Sequence, residues 1–136
     1  MLEHATRILA IRHGETAWNT ESRIQGHTDI PLNDTGLWQA ERVAHALLGE
    51  SLQAVYSSDL QRARTTAEAI AQAQQLTLSL EPGLRERHFG HLEGLTHQEI
   101  TARWPEQARR WRERDPAFGP DGGETLQAFY DRVVGT

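Results

Sequence analysis

At 136 residues the chain is long enough for one domain with a real core and too short for two ordinary ones, so a single domain over residues 1–136 is expected. Apolar residues make up 38% and charged residues 24%, a soluble globular balance, and a formal net charge of -5 argues against a nucleic-acid partner, whose recognition needs a surplus of Lys and Arg. The absence of cysteine excludes disulfides, thiolate catalysis and Cys-based zinc sites. Met1 to Arg7 has no apolar signal core and no later segment has the apolar length of a membrane span, which points to the cytoplasm and away from the bilayer.

In chain order, the continuous apolar run Ile8-Leu9-Ala10-Ile11 predicts a strand over Arg7 to Arg12, buried on both faces as in a parallel sheet. Residues 17–34, punctuated by Gly26 and Pro31, read as a loop with one short helix around Trp18. Leu37, Ala40, Ala44, Leu47 and Leu48 fall on one face of a helix over Leu37 to Leu48, with Asp34 or Thr35 as its cap and Gly49 as its stop. A second strand is expected at Gln53 to Ser57. A second helix follows through Leu60, Ala63, Ala67, Ile70 and Ala71, capped by Ser58 or Asp59, and a third strand lies at Leu76 to Leu80.

That order implies crossover connections, hence an α/β fold of three layers: a mostly parallel sheet with helices on both faces. After Pro82-Gly83 the chain is irregular and rich in Gly and His. Helices are expected at His97 to Trp104, Pro105 to Arg114 and Leu126 to Val134. Residues 85–125 are read as a cap over the site, and the Arg-rich stretch from Trp104 to Trp111 as part of it.

The chemistry concentrates at Arg12-His13-Gly14-Glu15-Thr16, at the end of the first expected strand, where open parallel sheets bind ligands. A histidine after an arginine and before a glycine can present a ring nitrogen to phosphorus while the guanidinium holds the phosphoryl oxygens. Cations nearby disfavour the imidazolium and keep the ring nucleophilic. Ser57-Ser58-Asp59-Leu60-Gln61-Arg62 repeats the pattern of strand end, turn and helix start and brings Arg62 to a helix N-terminus, with Ser57 and Ser58 as further donors. The remaining histidines, His4, His27, His45, His88, His91 and His97, match no diagnostic metal-ligand spacing, so neither metal nor cofactor is expected.

Together with Trp18-Asn19, Arg23-Ile24-Gln25-Gly26-His27-Thr28-Asp29, Leu84-Arg85-Glu86, Glu93-Gly94 and Gly122-Gly123-Glu124-Thr125, these segments resemble the histidine phosphatase superfamily, in its phosphoglycerate mutase-like branch. The resemblance implies that His13 is the phosphohistidine nucleophile and that Arg12 and Arg62 hold the phosphoryl group. Asn19, Gln25 and Gly26 become further substrate contacts, and Glu86 the proton donor. A carboxyl group beside a bound phosphate dianion holds its proton and can neutralise a leaving alkoxide. The implied activity is hydrolysis of a small phosphorylated metabolite. A phosphoglycerate mutase or a non-catalytic phospho-ligand module are the alternatives. The family's second histidine, in a His-Gly motif after another strand, has no counterpart before Val134-Gly135-Thr136. A fragment or a degenerate relative is therefore expected, weakly active and prone to associate with a second copy of itself.

Overall fold

In the computed structural model, which describes residues 5–136, the first element is one helical turn, α1 (Ala17–Thr20), around Trp18 as expected. A capping box starts it: the Asn19 backbone N–H donates to Thr16 Oγ1, while the Thr16 N–H donates to Asn19 Oδ1 at 2.9 Å. The amphipathic segment that follows forms α2 (Asp34–Ala46). Its cap is Asn33 rather than Asp34 or Thr35, because the Asn33 side chain accepts the Gly36 N–H. The helix closes at Leu47, and Gly49, with open space around it, lies in the turn beyond.

β1 (Val55–Ser57) runs parallel to β2 (Leu78–Leu80), with Val55 beside Leu78 and Ser57 beside Leu80. α3 (Gln61–Gln74) makes the crossover between them and ends on Gln75 in the left-handed region. Ser58 and Asp59 do not cap it. The N-cap is Leu60, Asp59 instead pairs with Arg85, and the Gln61 N–H finds Asp29 Oδ1 at 2.7 Å, from a loop about 30 residues earlier. Three further helices match expectation closely: α4 (His97–Arg103), α5 (Pro105–Arg112) and α6 (Leu126–Val134). Thr96 and Glu99 form the capping box of α4, Pro105 opens α5, and Thr125 caps α6.

The α/β fold read from the sequence, parallel strands with helices packed against them, is the fold observed. Ala44 of α2, Val55 of β1, and Ala67, Ile70 and Ala71 of α3 form one core. A second gathers Phe89, Leu92, Ile100 and Ala108, with Ile24, Trp104 and Trp111 around it. Tyr56, pointing to the opposite face of the sheet, is 62% exposed.

The strand expected at Arg7 to Arg12 is not formed, and Ile8 is 82% exposed. Apolar β-formers favour extended backbone, but a strand exists only where a neighbour takes its ladder hydrogen bonds. Among the described residues no backbone group pairs with residues 7–12. No helix of the described residues is long and apolar enough to cross a membrane.

Candidate active site

His13 sits between the N-terminal segment and α1, half-buried. Its Nδ1 donates to the Gly14 carbonyl at 2.7 Å, since a carbonyl can only accept; the lone pair of the neutral ring therefore resides on Nε2. Burial is the largest cause that pulls the ring below its ordinary pKa of 6.5. Arg62 and Arg12 push the same way, against the Gly14 carbonyl and Glu86. Desolvation therefore contributes more than the neighbouring arginines expected from the sequence.

Glycine is required on the next residue. A Cβ on Gly14 would stand 2.5 Å from the Gly36 carbonyl oxygen, and one on Gly36 would stand 2.1 Å from the Glu15 carbonyl oxygen. The first turn of α2 thus lies backbone to backbone against the residues that follow His13. The Gly14 N–H also donates to Thr66 Oγ1 of α3 at 3.0 Å, which ties the same loop to the second helix.

Arg62, in the first turn of α3, is 1% exposed. A guanidinium at that depth requires acceptors, and it has them: the carbonyls of Thr28 at 3.0 Å and Gly26 at 2.7 Å, and Glu86 Oε2 at 2.8 Å. Arg62 and Glu86, 24 residues apart, are thereby in direct contact. Gly26, with φ +55, serves through its carbonyl and stands off the cleft wall; a side chain there would strike the Glu93 carboxyl at 2.6 Å.

A cleft of about 420 Å³ opens at this point, lined by Arg12, His13, Asn19, Gln25 and Glu86 among others. Asn19 and Gln25 both spend their side-chain oxygens on Thr16, Gln25 Oε1 accepting from its hydroxyl at 2.8 Å. Among the described residues neither side-chain NH2 has a protein partner, so both are donors available to a ligand in the cleft. Ser57 and Ser58 are not part of the wall: both are buried, and the Ser57 hydroxyl donates to the Ser58 carbonyl.

Three supporting residues had no role assigned from the sequence. Thr16, fully buried, orients Asn19 and Gln25 at once. Glu93, nearly buried, accepts the Thr28 N–H at 2.7 Å and hydroxyl at 2.6 Å through one oxygen, and the Phe89 N–H at 3.1 Å through the other. Glu124 holds Arg132 through both oxygens and also accepts the His88 N–H; the Arg132 hydrogen bonds bring its carboxyl down to about 2. Arg132 in turn donates to the carbonyls of Gly83, Arg85 and Glu86. The loop that carries Glu86 is therefore pinned from α6. The Glu93-Gly94 and Gly122-Gly123-Glu124-Thr125 segments were visible as motifs, but nothing in their local spacing says that they meet near Glu86.

Of the other described histidines, His45 is exposed on α2, and the remaining four have structural partners. His27 donates from Nε2 to the Glu86 carbonyl at 2.8 Å and stacks on His88, centroids 4.4 Å apart. His91 packs edge-on to Trp104, and His97 stacks on Trp111. His4 lies outside the described residues. Among those described, no group of three or more His, Asp or Glu side chains is arranged to hold a metal ion.

The α/β fold thus brings a half-buried imidazole, a buried arginine and a carboxyl group together at the cleft. A model of the histidine phosphatase superfamily (branch 1) matches residues 8–136, and the chain belongs to that family. It is 46% identical over 130 residues to phosphoglycerate mutase-like protein 4 of Arabidopsis thaliana, covering 93% of this chain and 56% of that protein. To glucosyl-3-phosphoglycerate phosphatase of Mycolicibacterium vanbaalenii it is 38% identical over 128 residues, 94% of this chain and 56% of the other. The solved structure of a mycobacterial glucosyl-3-phosphoglycerate phosphatase complexed with VO3 superposes at a TM-score of 0.83 and 37% identity, over 88% of this chain and 57% of that one. The chain spans little more than half the length of the curated relatives it matches.

Proposed function

We propose that the protein hydrolyses a small phosphomonoester through a phosphohistidine on His13. The observation that carries this reading is the state of the His13 ring: Nδ1 is committed to the Gly14 carbonyl and burial disfavours the proton, so Nε2 holds a lone pair at the cleft. Nε2 attacks phosphorus and the ester P–O bond breaks. Arg62 and Arg12 hold the charge on the phosphoryl oxygens, and the Asn19 and Gln25 amides add donors. As the phosphoryl oxygens take up the Arg62 N–H groups, the Glu86 carboxyl loses its cationic partner and is free to carry a proton, which it gives to the leaving alkoxide. Water then attacks the phosphohistidine, Glu86 takes the proton released, and His13 returns to its starting form. Residues 85–125 cover the leaving group.

The names of relatives support hydrolysis. Besides the mycobacterial enzyme, a protein 42% identical over 132 residues is named a metal-independent phosphoserine phosphatase of Arabidopsis thaliana. The test is chemical. Incubating the intact protein with a labile aryl phosphate is expected to leave an acid-labile, base-stable phosphoadduct on His13, lost in His13→Ala, with phosphate released stoichiometrically. A clean mass spectrum during turnover would exclude the mechanism. Conversion of 3-phosphoglycerate to 2-phosphoglycerate without phosphate release would identify a mutase instead.

A further inference from the structure

Beyond the phosphate-holding residues, the cleft wall changes character. Trp18, Phe89, His97 and Trp111 line it, and three of them are in contact: Phe89 and Trp111 have centroids 5.0 Å apart and are tilted by 44°, while Trp111 and His97 are stacked, 4.8 Å apart at an interplanar angle of 23°. Trp18 lies over Gly94, whose missing side chain leaves room for the indole: a Cβ there would touch the ring at 3.3 Å. His97 and Trp111 also border a second recess of about 280 Å³ that runs on between α4 and α5 past Ile100 and Ala108. The rings therefore continue from the cleft into a recess bordered by Ile100 and Ala108, and also by Thr101, Arg112 and Arg114.

Apart from Arg12, the charged side chains that line the cleft itself are already paired. Arg23, the cation on the lining besides Arg12, donates from Nε to Glu21 at 2.6 Å and from Nη1 to the Gly94 carbonyl at 2.7 Å, and has Glu99 at 3.7 Å. A carboxylate on the leaving group would compete with two carboxylates already there. Glu86 is the acid on the lining; it is paired with Arg62, and once the phosphoryl group takes that partner it carries the proton for the leaving group, so a cationic leaving group finds no free anion either.

We propose that the leaving group this site prefers carries an aromatic or similarly flat ring, recognised by stacking on Trp111 and His97, and that small carboxylated or aminated alcohols are poorer. This rests on the phosphatase reading of the same site and specifies its substrate class. Ring faces and edges attract other rings through their quadrupoles as well as by burying area, whereas they give a polar, hydrated alcohol little in exchange for its water.

The experiment compares 2-phenylethyl phosphate with ethyl phosphate and phosphoserine on the intact protein, so that leaving-group acidity changes little between the first two. The phenyl ester is expected to have kcat/KM about tenfold higher than ethyl phosphate, the size of one good ring contact. Trp111→Leu, which keeps apolar contact with Phe89, and His97→Ala, at the exposed start of α4, should each erase most of that advantage through KM, read as the ratio of kcat/KM for 2-phenylethyl phosphate to that for ethyl phosphate in the same variant. Equal rates for the three esters, or an advantage untouched by both variants, would overturn the proposal and leave the phosphatase reading standing. If no ester is turned over and no phosphohistidine forms, the phosphatase reading fails instead. The ring preference is then read from binding of 2-phenylethylphosphonate against ethylphosphonate: tighter binding lost in both variants supports it, and equal affinities refute it.

Discussion

The two ends of the cleft are held by different forces. At the His13 end, backbone lies on backbone between Gly14 and Gly36, and Arg62 is buried among two carbonyls and a carboxylate. At the Trp111 end, rings rest on rings and His97 is exposed to solvent. Hydrogen bonds to a buried charge depend on each partner being present, and losing one leaves the others unsatisfied. Stacked surfaces add in small increments and accept replacement by other apolar groups. The contrast separates a part that must be rebuilt as a unit from a part that can be altered one residue at a time.

Arg62→Ala strikes the contrast hardest. It leaves the Gly26 and Thr28 carbonyls and Glu86 without their donor, so activity should fall on the order of a thousandfold. Stability should fall by about 3 kcal/mol in urea denaturation. Arg62→Lys is expected to recover little of either, since one ammonium cannot span three acceptors in that geometry. Retained stability in Arg62→Ala would mean that the buried cation is not what organises this end.

Next in size is a pair of glycine replacements. Gly36→Ala must shift the Glu15 carbonyl and should cost about 1–3 kcal/mol with loss of turnover, whereas Gly49→Ala, in open space, should stay within about 0.5 kcal/mol of the parent. Thermal melts of the two side by side decide it. A weaker and pH-dependent effect is expected at Glu124. Its folded pKa of about 2 lies below the ordinary 4.5, so its contribution to stability is complete above about pH 4.5 and is lost as pH falls towards 2. The Tm gap between the parent and Glu124→Gln should therefore close on acidification; a constant gap would show that charge at Glu124 is not the cause.

The smallest effect concerns His13. Because its pKa is lowered, chiefly by burial, the acid limb of kcat/KM due to this group should lie below pH 6.5. Arg12→Ala should move that limb upward only slightly, since the arginine is a lesser cause than desolvation.

The βαβ unit, the amphipathic helices and the motif carrying His13 were legible because each is a local pattern. Hydrophobic period fixed α2, α3 and α6 to within a few residues. The caps were not. Asp59 has the right side chain at the right distance from α3, but Arg85 claims it, while Asp29 arrives from elsewhere to cap Gln61. Ile8 to Ile11 likewise carries a strand's composition without the neighbour that would make it one. Glu93 and Glu124 could be seen in motifs but not assigned, since their partners lie in other loops and only the fold brings them together.

The capping of α3 by Asp29 has a kinetic consequence. That contact spans 32 residues; the Arg62 bonds to Gly26 and Glu86 span 36 and 24, and the Gly14 bond to Thr66 spans 52. Contacts so distant in sequence must overcome the entropy of loop closure before they stabilise anything, whereas a helix forms from local contacts. On refolding, helical circular dichroism should return before the ability to form phosphohistidine, because the cradle is assembled from four separated stretches of chain and comes together only when all of them have arrived.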